Sequence, residues 1–172
     1  MISHFVPWLV PIPQAPRDRE AENREHRRAK GDFQVAVFIG TFENKVDRKG
    51  RVSVPATFRQ SLSGLTFTGI IAFPSRRAAA IEACGMDLME QLIAEQASVN
   101  LLSEQPDDPA SPLFYDLQQL PFDGEGRVIL PPSLREFAGI TGQATFVGVG
   151  KLFQIWDPQR LDEHRVNQAG GQ

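Results

Sequence analysis

Apolar residues in this chain fall into short runs punctuated by glycine and proline, and the punctuation occurs twice. Val52-Ser53-Val54 and Val128-Ile129-Leu130 read as strands. Each follows an Asp-x-x-Gly-Arg segment and is stopped by proline, which suits the first position of a helix. Ala56 to Leu62 and Pro132 to Ala138 then read as short helices, with Gly139 placed to cap the second. Gly69 to Phe73 and Thr145 to Val149 supply further strands. Between the two sets, Ala78 to Ala83 and Asp87 to Glu95 are strong helix formers separated by Gly85, with Leu88, Leu92 and Ile93 expected inward. Gln105 to Pro112 reads as a loop leading into Leu113 to Leu117.

The two sets are copies. Val46 to Arg59 recurs in register 76 positions later as Phe122 to Arg135, keeping Asp, Gly, Arg, Val, Pro and the final Arg. Asp47 and Asp123 are turn-shaping residues, able to bond backbone two positions on, while Gly50 and Gly126 supply positive φ. One unit of this size buries too little apolar surface to stand alone, so two must fold against each other. A purely architectural repeat, with Asp-x-x-Gly-Arg as a good turn and nothing more, would satisfy that requirement.

Charge separates the copies. From Lys45 to Gln60 the first carries Lys45, Arg48, Lys49, Arg51 and Arg59 against Asp47 alone. From Pro121 to Glu136 the second has Arg127 and Arg135 against Asp123, Glu125 and Glu136. Clustered cations on a tight turn make a footprint for phosphates, and arginine can read guanine edges bidentately. A solvated basic loop fits the charge equally well. The whole chain has a net charge of −3, so any affinity for nucleic acid must come from a local patch rather than from overall charge.

The paired Asp-x-x-Gly-Arg-(apolar)-x-(apolar)-Pro blocks resemble the SpoVT-AbrB domain, and their tandem arrangement resembles the MraZ family. Phe38 to Glu43 before the first block, Leu134 to Ile140, and Val147 to Asp157 with its Gly-x-Gly and Ile-Trp-Asp match the same family. The resemblance covers about Val37 to Leu161. It implies an α+β, mainly β fold in which the two repeats form a swapped-hairpin β-barrel with short helices, assembling into a ring. It further implies a cytoplasmic, nucleoid-associated transcriptional regulator, usually a repressor. Such a regulator binds promoter direct repeats of the division and cell-wall gene cluster as a homo-oligomer, with no cofactor and no membrane.

The DNA-contacting loop carries over to Arg48, Lys49 and Arg51; Lys49 and Arg51 match the family pattern, whereas Arg48 is a variable position that is basic here. The second block holds Gly124 and Glu125 instead, so Arg127 is expected to pair with Asp123 or Glu125. Arg59 and Arg135 are expected to be structural cations over the barrel. Gln154 and Leu161 depart from the family's usual Glu and aromatic residue. The expected organisation is an extension over 1–36, repeats over 41–84 and 117–160, a helical linker over 85–116 and a tail over 161–172. A ring-forming scaffold whose basic loop meets an acidic protein partner is the competing class.

Residues 1–36 stand apart. Pro7, Pro11, Pro13 and Pro16 interrupt them, and the apolar patch from Phe5 to Ile12 is too short to span a bilayer and has no basic flank before it. Two expectations follow: translation begins near Val35 or Val37 on a valine codon, or the extension is a disordered basic arm. Catalytic chemistry has little to stand on. Cys84 is single, His4, His26 and His164 are scattered, and Gly124 to Arg127 lacks the strand–helix context of a nucleotide fingerprint. Cys84, between Ala83 and Gly85, reads as a small buried residue.

Overall fold

The computed structural model describes residues 35–100 and 116–170. Strands β1 (Thr41–Lys45) and β2 (Arg51–Ser53) lead into helix α1 (Ala56–Ser61), followed by β3 (Gly69–Pro74), β4 (Ile81–Cys84) and α2 (Met86–Asn100). The second half repeats the opening order: β5 (Gln118–Pro121), β6 (Arg127–Ile129), α3 (Pro132–Ala138), β7 (Gln143–Gly148) and β8 (Phe153–Trp156), closed by α4 (Pro158–Ala169). The result is α+β with mainly antiparallel strands and few helices. Prolines 55 and 131 sit before α1 and α3, and Gly139 ends α3 in the left-handed conformation at φ 70°. Asp157 caps α4, accepting from the Gln159 and Arg160 amides at 3.1 and 3.2 Å.

Six strands form one sheet in the order β1-β7-β8-β4-β3-β5, and β2 and β6 form a separate antiparallel ribbon with Val52 opposite Val128. The closed barrel implied by the family resemblance is therefore not what the strands make. The sheet is open, with β1 and β5 at its edges. Its chain leaves the ladder after β1 and β5: the Val46 amide donates to Gly142 O and the Phe122 amide to Thr68 O. Strands β2 and β6 then pair with each other, so among the described residues no strand joins one sheet edge to the other.

Two local expectations are also corrected. Ala78 to Ala83 does not form a helix: the chain turns there and enters β4, which pairs with β3 on one side and β8 on the other. Ile81 and Ala83 are fully buried while Glu82 is half-buried, the two-residue period of a strand. Central pairing overrides alanine's helix propensity. Helix α2 does form, but Ile93 is 51% exposed. Burial falls along the helix from Leu88 and Met89, through a half-buried Leu92, to exposed Ile93, Ala94 and Glu95, so the helix leaves the sheet as it proceeds. Residues 1–34, Gln105 to Pro112 and the Leu113 to Tyr115 segment lie outside the described residues.

The main core lies between ribbon and sheet. Val52, Val54, Val128 and Leu130 from the ribbon side pack with Phe38, Phe58, Phe146 and Phe153. Phe58 from α1 sits at the centre, its ring centroid 5.3 Å from Phe38, 5.4 Å from Phe42 and 5.1 Å from Phe153. A smaller cluster of Trp156, Leu161 and Ala80 fixes α4 to the sheet.

Candidate nucleic-acid interface

The Asp47–Arg51 turn owes its shape to one carboxylate. Asp47 Oδ1 accepts from the Lys49 and Arg51 amides at 2.8 and 2.9 Å, and Oδ2 accepts from Arg51 Nε at 2.6 Å. The Gly50 amide donates to Asp47 O at 2.9 Å, and Gly50 takes φ 81°. The second turn repeats every bond. Asp123 Oδ1 accepts from the Glu125 and Arg127 amides at 2.9 Å each, Oδ2 accepts from Arg127 Nε at 2.8 Å, and Gly126 takes φ 73°.

Hydrogen bonds to the ionised form hold both carboxyls below their ordinary range, the Arg51 amide contributing most at Asp47 and the Arg127 amide most at Asp123, which falls to about 2. The sign follows. A carboxyl lowered in the folded state adds stability that is complete above its ordinary value and lost as pH falls through the folded value. For Asp123 that window runs from 3.8 down to about 2. In denaturant titrations across this window, Asp123→Asn is expected to lose stability with falling pH less steeply than the wild type.

The turns differ in what they present. Arg127 Nη1 pairs with Glu125 Oε2 at 2.7 Å while its Nε holds Asp123, so this arginine's fork is engaged within its own turn. The intramolecular pairing expected for Arg127 is observed with both carboxylates. In the first turn Arg51 Nε holds Asp47, but its Nη nitrogens form no ion pair among the described residues. Arg48 and Lys49 are exposed and, among the described residues, their side chains have no ion-pair partner. The structure thus places Asp47, Arg48, Lys49, Gly50 and Arg51 on one ordered turn at one end of the ribbon. Asp123 and Gly126 lie at the other end, because β2 and β6 run antiparallel.

Sequence reasoning missed how each turn is held by the opposite half. The Leu130 amide donates to Gly50 O at 2.9 Å, and the Val54 amide donates to Gly126 O at 3.2 Å. A methyl on Gly50 would lie 2.7 Å from Leu130 O and 3.1 Å from Arg135 Nε; one on Gly126 would strike the Arg59 guanidinium. Arg59 and Arg135, expected over a barrel, instead each cover the other copy's turn. The repeat alone contained a hint, since two units interleaved around an axis exchange equivalent contacts.

Cys84 is fully buried, and burial, followed by the nearby Asp87 charge, pushes its thiol up to about 12, far from a reactive thiolate. Among the described residues no set of three or more His, Cys, Asp and Glu side chains is arranged to hold a metal ion, and no helix is long and apolar enough to cross a membrane.

Fold and turns together define a ribbon-centred α+β protein that presents one ordered turn in which cations outnumber carboxylates and one whose arginine is paired with two carboxylates. Residues 113–165 match the family model described as "MraZ protein, putative antitoxin-like". The protein named Transcriptional regulator MraZ from Rhodospirillum rubrum is 48% identical over 132 residues, covering 74% of this chain and 84% of its own length. Its namesake from Rickettsia akari is 47% identical over 128 residues, covering 74% and 86%, and that from Pelagibacter ubique 42% identical over 131 residues, covering 76% and 84%. The chain belongs to the MraZ family. The shared name of these relatives is that of a regulator and not of an enzyme.

Proposed function

We propose that this protein is a sequence-specific DNA-binding transcriptional regulator, acting as a repressor on promoter direct repeats of the division and cell-wall gene cluster. Arg48, Lys49 and Arg51 are the contacting residues. The observation that carries this is the asymmetry between two turns of one geometry: Arg127 pairs with both Asp123 and Glu125, whereas Arg51 pairs with Asp47 alone and, among the described residues, its Nη nitrogens make no ion pair, beside exposed Arg48 and Lys49. A free Nη fork is what bidentate recognition of guanine or phosphate needs, and a turn locked by five hydrogen bonds of its own presents it with little left to order.

One turn is a small footprint, so affinity must come from several copies acting on repeated sites. A ring-shaped homo-oligomer would supply them. Val37, Ile39 and Val149 support self-association: they are 53%, 77% and 51% exposed, and the Phe38–Gly150 bridge brings their backbones together. On this reading the repeats occupy 41–84 and 117–160 with the helical linker 85–116 between them, an extension over 1–36 and a tail over 161–172. The protein works in the cytoplasm on the nucleoid.

Fluorescence anisotropy on the duplex upstream of this gene, with a scrambled duplex as control, tests the proposal. Preference for the upstream duplex of about a thousandfold or more, the ordinary specific-to-non-specific ratio, is expected. Equal, weak binding to both would overturn it and favour the scaffold with an acidic protein partner.

A further inference from the structure

Resting on the reading that the first turn contacts DNA, we propose that Arg135 is a positioning residue for that turn, acting from the other half of the chain without touching DNA. Arg135 and Arg59 occupy matching places in α3 and α1, yet their surroundings are opposite. Arg59 lies against Gly126, on the turn that carries Asp123 and Glu125, where a cation is favoured, and its Nε donates to Val54 O at 3.1 Å. Arg135 lies against Gly50, on the turn that carries Arg48, Lys49 and Arg51, where a cation is disfavoured by charge. Its Nε is buried without a hydrogen-bond acceptor, and among the described residues it has no carboxylate partner.

Electrostatics therefore does not explain the guanidinium at this place; shape does. Its plane fills the space beside Gly50 where a side chain would otherwise stand, and it backs the same glycine whose carbonyl receives the Leu130 amide. Helix α3 holds Arg135 in turn: Leu134 and Ala138 anchor it in the core, and Gly139 caps it. A long side chain on a short, pinned helix makes a rigid support. Arg48, Lys49 and Arg51, all within two positions of Gly50, are thereby held from tilting toward α3. Arg59 performs the equivalent task at the acidic turn, which makes it an internal control.

The test compares Arg135→Gln and Arg59→Gln in the full chain, by anisotropy on the upstream duplex over a salt series and by amide hydrogen exchange. Arg135→Gln is expected to weaken binding about tenfold, because a supporting group displaced by a fraction of an ångström loosens a recognition site. The slope of log K against log salt should stay as in the wild type, and the Leu130 amide should exchange faster. Arg59→Gln should bind within about twofold of wild type while its Val54 amide exchanges faster. A slope shallower by about one would make Arg135 a phosphate contact and overturn the proposal. Wild-type affinity and unchanged Leu130 exchange in Arg135→Gln would overturn it too. Arg135→Lys, which keeps the charge and stem but loses the plane, is expected to show the same pattern more weakly; full affinity in it would count against the proposal. A wild type without duplex preference would instead sink the DNA reading, and the exchange data alone would then decide whether Arg135 braces the turn.

Discussion

Truncation of Phe58 to alanine is expected to cost about 3–5 kcal/mol of folding stability, the range for deleting a buried aromatic from a core that cannot close around the gap. The side chain is 1% exposed and lies edge-on to Phe38 and Phe42, with Phe153 tilted against it. Those rings sit on the segment before β1, on β1 and on β8, so collapse into the cavity would require three separate parts of the chain to move. Since domains of this size are stable by about 5–15 kcal/mol in all, the variant should sit near the edge of folding. Urea denaturation checks this: the midpoint should fall with the slope unchanged, as for lost stability without a changed denatured state. Phe58 also shares its cluster with Val52 and Val54, so the ribbon that carries the basic turn should loosen with it.

The second large effect is expected at Arg51. A good bidentate contact contributes about 1–3 kcal/mol of discrimination, and in the proposed ring a loss repeated in every copy would be multiplied by avidity. Alanine at 51 also removes the Nε that bonds Asp47, so part of any loss could come from a loosened turn. Arg127→Ala separates the two causes. It deletes the matching bond to Asp123 in a turn of the same geometry, but one whose arginine is already neutralised by Glu125. The difference between the variants is the contact itself.

Much of this arrangement was legible in the residues. The Asp-x-x-Gly-Arg blocks announced both turns because their chemistry is local: a carboxylate bonding backbone two and four positions on, and a glycine at positive φ. The pairing of Arg127 followed from its neighbours in the chain. What stayed hidden was set by contacts distant in sequence. Alanines 78–80 and Ile81 carry helix propensity, yet a vacant place between β3 and β8 drew Ile81 to Cys84 into a strand. Ile93 has an inward spacing, but where α2 departs from the sheet depends on what lies beneath it. The cross-bracing of Gly50 by Arg135 joins residues in different copies, and no local pattern reports it. The open sheet likewise turns on where the chain leaves its ladder at Val46 and Phe122.

If one turn of the two reads DNA, the salt dependence of binding to the upstream duplex will show it for wild type, Arg51→Ala and Arg127→Ala measured side by side. Expected are a steep wild-type slope, a large loss of affinity and a shallower slope in Arg51→Ala, and a slope and affinity close to wild type in Arg127→Ala. Equal losses in the two variants, or none in either, would contradict that reading.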